Sequence, residues 1–218
     1  MVTLCWAAKG GSGTTVVTAA LALGFRRHSL LVDLDGELPA VLGMPDPDRP
    51  GIDDWLRSDA HVDRLDELVV DADATTSLLP HRRSDGTRAV SPIEDTRWAE
   101  FADWLRRQHD DGIGVFVDGG STTPHETLAA AADQVLIVTR PCYLSLRRAR
   151  RSTVRPTGVI LVDEPGRQMR SRDVERCLGA PVVATVSADP AIARAVDAGL
   201  LAARLPWAMG RELRAVAA

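Results

Sequence analysis

Short, unbroken apolar runs alternate along the chain with longer segments in which apolar residues recur every three or four positions. The runs predict strands over residues 3–8, 29–34, 114–118, 134–139, 157–162 and 181–186, with a shorter one at 77–79. A run such as Val135-Leu136-Ile137-Val138 has no polar alternation, so both of its faces should be buried, as in a parallel sheet covered by helices on both sides. Helices are predicted over 14–27, over 92–109, where Trp98, Phe101, Ala102 and Leu105 fall at helical spacing, and over 190–199, which ends in Gly199. The stretch 78–91, rich in Arg, Ser and Gly, reads as a loop after the short strand. No internal repeat or linker interrupts the pattern. It predicts one doubly wound α/β domain over residues 1–218, with a mainly parallel sheet and helices on both faces.

Composition narrows the function classes. With 45% hydrophobic residues in 218 the chain can bury a sizeable core, and bulk disorder is excluded. A net charge of −4 argues against a generally basic coat for nucleic acid, while leaving room for a local basic patch. No apolar run approaches the ~20 residues of a membrane span, and the first residues lack a signal-peptide pattern, so a cytoplasmic location is expected. Cys5, Cys142 and Cys177 have neither metal nor redox spacing, which reads as reduced thiols. The five histidines are scattered, and no nucleophile–base pair is readable. Asparagine is absent, and the 26 basic residues comprise arginines and a single lysine, Lys9. In a chain that replaces Lys by Arg wherever either serves, the survivor marks a place where Arg would not.

Lys9 opens the segment Lys9-Gly10-Gly11-Ser12-Gly13-Thr14-Thr15, between the first strand and the first helix. Glycines let the backbone curl so that successive N–H groups point at an anion, and the following helix adds its positive N-terminus. Strand, glycines, hydroxyl pair and helix occur in the order a phosphate loop needs. Such a loop ordinarily ends Gly-Lys-Ser/Thr. Here Thr14 stands where the lysine would reach the phosphates, while Thr15 keeps the hydroxyl for Mg²⁺.

On these residues the chain resembles the ParA/MinD family of P-loop ATPases, whose variant loop reads Lys-Gly-Gly-x-Gly-Lys-Ser/Thr. The resemblance implies a P-loop NTPase fold binding ATP and Mg²⁺, and a homodimer in which Lys9 reaches the partner's phosphates. Leu30-Leu31-Val32-Asp33-Leu34-Asp35 looks like the family's second strand and first switch, so Asp35 would orient the attacking water and Asp33 would lie near the metal. Val115-Phe116-Val117-Asp118-Gly119-Gly120 looks like its Walker B strand and second switch, with Asp118 near Mg²⁺ and Gly119-Gly120 in place of the usual prolines. Asp163 sits where the family often places an Asn against the base. A carboxylate there accepts from the adenine amino group or from guanine, and base identity stays open. Asp189-Pro190-Ala191-Ile192-Ala193-Arg194 and the residues to Leu200 resemble the tail of TadZ/CpaE-like proteins, polar-localisation factors for pilus or secretion machines, often with degraded ATPase loops.

Losing the loop lysine removes a cation where phosphoryl transfer most needs one, and loss of such a donor costs ~10²–10³ in rate. Either Lys9 substitutes, in cis or in trans, and activity is weak, or the domain is a structural pseudo-ATPase. The balance favours little or no hydrolysis. Arg147, Arg148, Arg150 and Arg151, with Arg155, form the strongest basic cluster, read either as a DNA-phosphate patch or as a solvated helix face. The tail 207–218 carries Trp207, Met209, Leu213 and Val216 with few basic residues, and is expected to dock on the domain rather than seek a membrane. The leading expectation is a positioning or scaffold protein for a pilus or secretion apparatus. The alternative is a partition ATPase that binds DNA through the Arg patch. A metallocluster relative is disfavoured, because Cys142 alone supplies no cysteine pair.

Overall fold

The computed structural model describes residues 1–82 and 92–217. Among these, eight strands form one sheet: β1 (Val2–Trp6), β2 (Ser29–Asp33), β3 (Val70–Asp71), β4 (Thr76–Leu79), β5 (Gly114–Asp118), β6 (Gln134–Thr139), β7 (Gly158–Asp163) and β8 (Val182–Ser187). Their order across the sheet is β3-β4-β2-β5-β1-β6-β7-β8. Every neighbouring pair is parallel except β3 with β4. The helices are α1 (Thr14–Leu23), α2 (Leu38–Leu42), α3 (Ile52–Leu56), α4 (Arg64–Leu68), α5 (Asp95–Asp110), α6 (Glu126–Ala131), α7 (Tyr143–Ala149), α8 (Ser171–Leu178), α9 (Pro190–Asp197) and α10 (Trp207–Leu213).

The unbroken apolar runs are explained by burial on both faces. Along β2, Leu30 and Val32 join the core under α3 and α5, while Leu31 between them joins the core shared with α1, α2 and α10. On the other side of β1, Ile137 and Leu161 pack toward α7 and α8, and Leu136, Val138 and Ile160 toward α1. Strand β8 differs: its residues alternate between buried and exposed, as befits the outermost strand.

The expected elements are found, β5 and β6 with the expected ends and the others with shifted ones. Strand β1 stops at Trp6 because the Ala7 N–H leaves the ladder and donates to the Gly120 carbonyl at 2.8 Å. Helix α1 stops at Leu23, where the Gly24 N–H closes onto Ala20. Helix α5 begins at Asp95, after the extended Glu94. Three helices of five residues each, α2–α4, and the two-residue β3 fill the connection between β2 and β4, for which the apolar pattern predicted no element. Residues 83–91 of the expected loop lie outside the described residues. The tail docks: Met209, Leu213 and Val216 are buried in the core shared with α1 and β8. Trp207 is left 71% exposed, with the Arg211 guanidinium 4.6 Å from its ring centroid. Among the described residues no helix is long and apolar enough to cross a membrane.

Candidate functional site

The first strand lies between β5 and β6, and the chain leaves it toward β2 on one side while β6 continues on the other. In open α/β sheets the crevice beyond the strand ends at such a reversal is where ligands bind. The glycine-rich loop occupies this position. Gly11 (φ +74°) and Gly13 (φ +89°) are in the left-handed region that favours glycine. The Ser12 hydroxyl donates to the Lys9 carbonyl at 2.8 Å and closes the curl. Gly13 is the N-cap of α1, and the Val17 N–H donates to its carbonyl at 3.0 Å. Thr14, the first helical residue, is buried, and its carbonyl accepts from the Thr18 hydroxyl at 2.9 Å. Lys9, Gly10 and Gly11 are exposed on the outside of the curl, and Thr15 is half-buried behind it. The end of β1 that leads into the loop is tied to the segment after β5 by two backbone bonds, Ala7 N–H to the Gly120 carbonyl and Gly119 N–H to the Cys5 carbonyl at 2.7 Å.

Asp33 and Asp118 end neighbouring parallel strands as register partners, and both are fully buried. Their surroundings differ. One Asp33 oxygen accepts from the N–H of Gly36 at 2.7 Å and of Asp35 at 3.1 Å, and the other accepts from Leu38 at 3.1 Å. One Asp118 oxygen accepts from the Gly120 N–H at 3.0 Å, while Oδ2 is buried with no hydrogen-bond partner. Burial pushes the Asp118 carboxyl up to about 7, against the lowering effect of the nearby Thr15 hydroxyl and the Gly120 N–H. Burial also raises Asp33, opposed by its three backbone donors. Asp35 is exposed and lies over Gly120, where an added Cβ would come within 2.3 Å of its Cγ. Gly120, at φ +62°, thus leaves the space Asp35 occupies. Sequence reasoning saw this glycine only as a missing proline.

A buried carboxylate oxygen without a partner, beside a hydroxyl, is an oxygen pair that suits Mg²⁺. This ion takes one or two protein oxygens and completes its shell with water and phosphate. No group of three or more His, Cys, Asp or Glu able to hold a metal is found among the described residues. The cradle therefore suits a cation that arrives with a phosphate ligand better than a metal held by protein alone.

Asp163 ends β7, two strands from β1, with its side chain exposed. Next to it, Glu164 is held by Arg167 at 2.7 Å and by Arg140, and the Arg167 hydrogen bond keeps its carboxyl below the usual range. Cys142, the N-cap of α7, has its thiol lowered by the N–H groups of Ser145 and Leu144, with further help from the Lys9 and Arg167 charges. Arg147, Arg148, Arg150 and Arg151 are all exposed. Arg147, Arg150 and Arg151 border a cleft of about 420 Å³ between α7 and α8, floored by Leu146 and Met169. The structure thus gathers Lys9 to Thr15, Asp33, Asp35 and Asp118 at one crevice. It sets Asp163 along the same edge of the sheet and the arginines apart. One contact had no sequence signal: Glu212 of α10 accepts from both the N–H and the hydroxyl of Ser187, at 3.1 and 2.8 Å.

No family model and no curated protein matches the chain. Solved structures do. The chain is similar to MinD in a MinC:MinD cell division complex from Aquifex aeolicus, at 18% identity and a TM-score of 0.79, covering 100% of this chain and 94% of that one. A septum site-determining MinD complexed with Mg-ADP, from Pyrococcus horikoshii OT3, aligns at 21% identity and a TM-score of 0.74 over 99% and 94% of the two chains. A ParA family ATPase from Chlorobium tepidum TLS aligns at 20% identity and 0.73 over 98% of each. The fold is that of the ParA/MinD P-loop NTPases.

Proposed function

We propose that this chain is a ParA/MinD-like positioning protein, one P-loop domain over residues 1–218, whose nucleotide site keeps its metal- and water-handling positions and has lost its main phosphate lysine. The observation that carries the reading is the orphaned Asp118 Oδ2 buried next to Thr15, behind a loop whose glycines are in the left-handed region. In this reading the backbone N–H groups of Gly10, Gly11, Ser12, Gly13, Thr14 and Thr15 bind the phosphates of ATP. Thr15 and Asp118 hold Mg²⁺, which supplies charge neutralisation on the phosphates. Asp33 lies near the metal and shapes the turn that presents Asp35 to the attacking water, and Asp163 meets the base. The similar MinD structure with Mg-ADP supports this choice of ligand.

Thr14 offers no cation, so hydrolysis is weak or absent, and the site serves as a switch or a scaffold rather than an engine. Lys9 is exposed on the loop and free to act across a two-fold axis, so the dimer forms through this face. The cargo is a pilus or secretion apparatus in the cytoplasm. Support for that cargo is the resemblance of the segment around α9 to TadZ/CpaE-like tails. A second reading, DNA partition, is favoured by the exposure of Arg147, Arg148, Arg150 and Arg151. Retention on duplex DNA at ~50 mM salt that weakens steeply with added salt selects it, and absence of retention removes it.

The direct test measures mass by light scattering, and turnover, with and without Mg-ATP. The 23.5 kDa chain should shift toward twice that mass, and Lys9→Ala should weaken the shift. Turnover should be barely above background, and Thr14→Lys should raise affinity or rate ~10-fold, the worth of ~1.4 kcal/mol of restored charge stabilisation. A vigorous wild-type ATPase, or a strict monomer under all conditions, refutes the reading.

A further inference from the structure

We infer that Glu212, on the C-terminal helix α10, is a positioning residue for the nucleoside end of the site, and that α10 mechanically joins that end to the phosphate end. The inference rests on the nucleotide reading above.

The phosphate end is marked by Thr15, Asp35 and Asp118, all at β1 or on its β5–β2 side. With Asp163 meeting the base, as in that reading, a nucleotide anchored there runs over the end of β6 to that of β7. Strand spacing puts the end of β7 about 10 Å from β1 and that of β8 about 15 Å away. The residues that end these two strands, Asp163 and Ser187, are register partners. The turn beyond them is tightly built: the Ala188 N–H donates to the Asp163 carbonyl at 3.0 Å and the Asp189 N–H to the Ser187 carbonyl at 2.8 Å. The Asp189 side chain then caps α9 through the Ala191 N–H at 2.8 Å.

On the β7 side, this rim is braced by the Arg140–Glu164–Arg167 ion pairs. On the β8 side it is braced by Glu212, whose two oxygens take both donors of Ser187. A carboxylate gripping an N–H and an O–H at once fixes direction as well as distance, and charge-assisted bonds of this kind are the strong ones. The same helix buries Met209 and Leu213 in the core that includes Val17 and Leu21 of α1, the helix that starts at the phosphate loop. One seven-residue helix therefore touches both the helix behind the phosphates and the turn at the base. Its outer end carries Trp207, 71% exposed with the Arg211 guanidinium over its ring, which makes it a reporter on the helix.

The experiment titrates the full chain with Mg-ATP, Mg-GTP and Mg-tripolyphosphate, which lacks a nucleoside, and follows heat and tryptophan emission. Glu212→Gln keeps the shape and removes the charge. It should weaken the better-bound nucleotide about tenfold, change the ATP:GTP preference, and leave tripolyphosphate within about twofold. Ser187→Ala, which removes only the hydroxyl, should weaken the nucleotide about threefold and covers the case in which Glu212→Gln folds poorly. Nucleotide should change the emission of the wild type; Trp6, buried beside Gly119, supplies part of the change, and the part lost in Trp207→Phe should be lost in Glu212→Gln as well. Equal losses for all three probes would reduce Glu212 to a structural role and overturn the inference, as would no loss for any. Wild type that binds tripolyphosphate and neither nucleotide overturns it while leaving the phosphate loop standing. Wild type that binds none of the three refutes the nucleotide reading and takes this inference with it.

Discussion

Asp33 and Asp118 are the same residue type, fully buried, side by side at the ends of two paired strands, and each is preceded by valine. The turn after β2 folds back so that three N–H groups converge on Asp33 and use both of its oxygens. The turn after β5 stays beside the end of β1 through Gly119 and Gly120 and brings Asp118 one N–H, leaving Oδ2 alone. Position in the sheet makes both carboxylates buried. The path of the next five residues satisfies both oxygens of one and leaves an oxygen of the other without a partner. Burial alone therefore does not tell the two acids apart; the tally of donors around each does.

The sharpest way to break this comparison is to remove each carboxylate in turn. Asp33→Ala leaves three N–H donors without their acceptor and should cost about 4 kcal/mol, read as a lowered midpoint in urea unfolding. A loss as small as that of Asp118→Ala would abolish the distinction. Asp118→Asn should act in the opposite direction on the ligand-free protein and raise stability at pH 8. The sign follows from the raised carboxyl. Below pH ~4 it is protonated in the folded and unfolded chain alike. As pH rises toward about 7 the unfolded chain loses this proton first, so the folded chain holds more protons and loses stability, and the penalty is complete above about 7. The gain from Asn should shrink to nothing near pH 4, and Mg²⁺-dependent nucleotide binding should disappear with the charge. Melting curves across this range check it. The smallest effect is at the hinge between the two turns. Gly120→Ala adds a Cβ at φ +62° within 2.3 Å of the Asp35 Cγ, and should cost about 1–2 kcal/mol. Because Asp35 is exposed and able to swing aside, the variant should keep its fold and lose whatever turnover the Thr14→Lys background restores.

Legibility in the sequence followed the physics of each feature. The strands flanking β1 were readable because two-faced burial leaves an unbroken apolar run, as at Val135 to Val138. The phosphate loop was readable because left-handed turns demand glycine at Gly11 and Gly13. Helices α2, α3 and α4 were not, since five residues complete little more than one turn and show no periodicity. The difference between Asp33 and Asp118 was hidden because it depends on where backbone N–H groups point. The Glu212–Ser187 grip was hidden because it joins residues 25 positions apart through the packing of α10.

That grip also bears on how the molecule keeps to itself in a crowded solution. A sheet ends in two strands with one unpaired side each, and such borders invite growth by addition of further chains. Here the two borders are guarded by different means. At one, β3 is only two residues long and offers too little ladder to template anything. At the other, β8 is six residues long and carries a 39% exposed Val183, but α10 lies against it and Glu212 occupies the Ser187 amide. The C-terminal segment thus covers one end of this border, and a chain cut before Trp207 should scatter more light at a given concentration than the full chain.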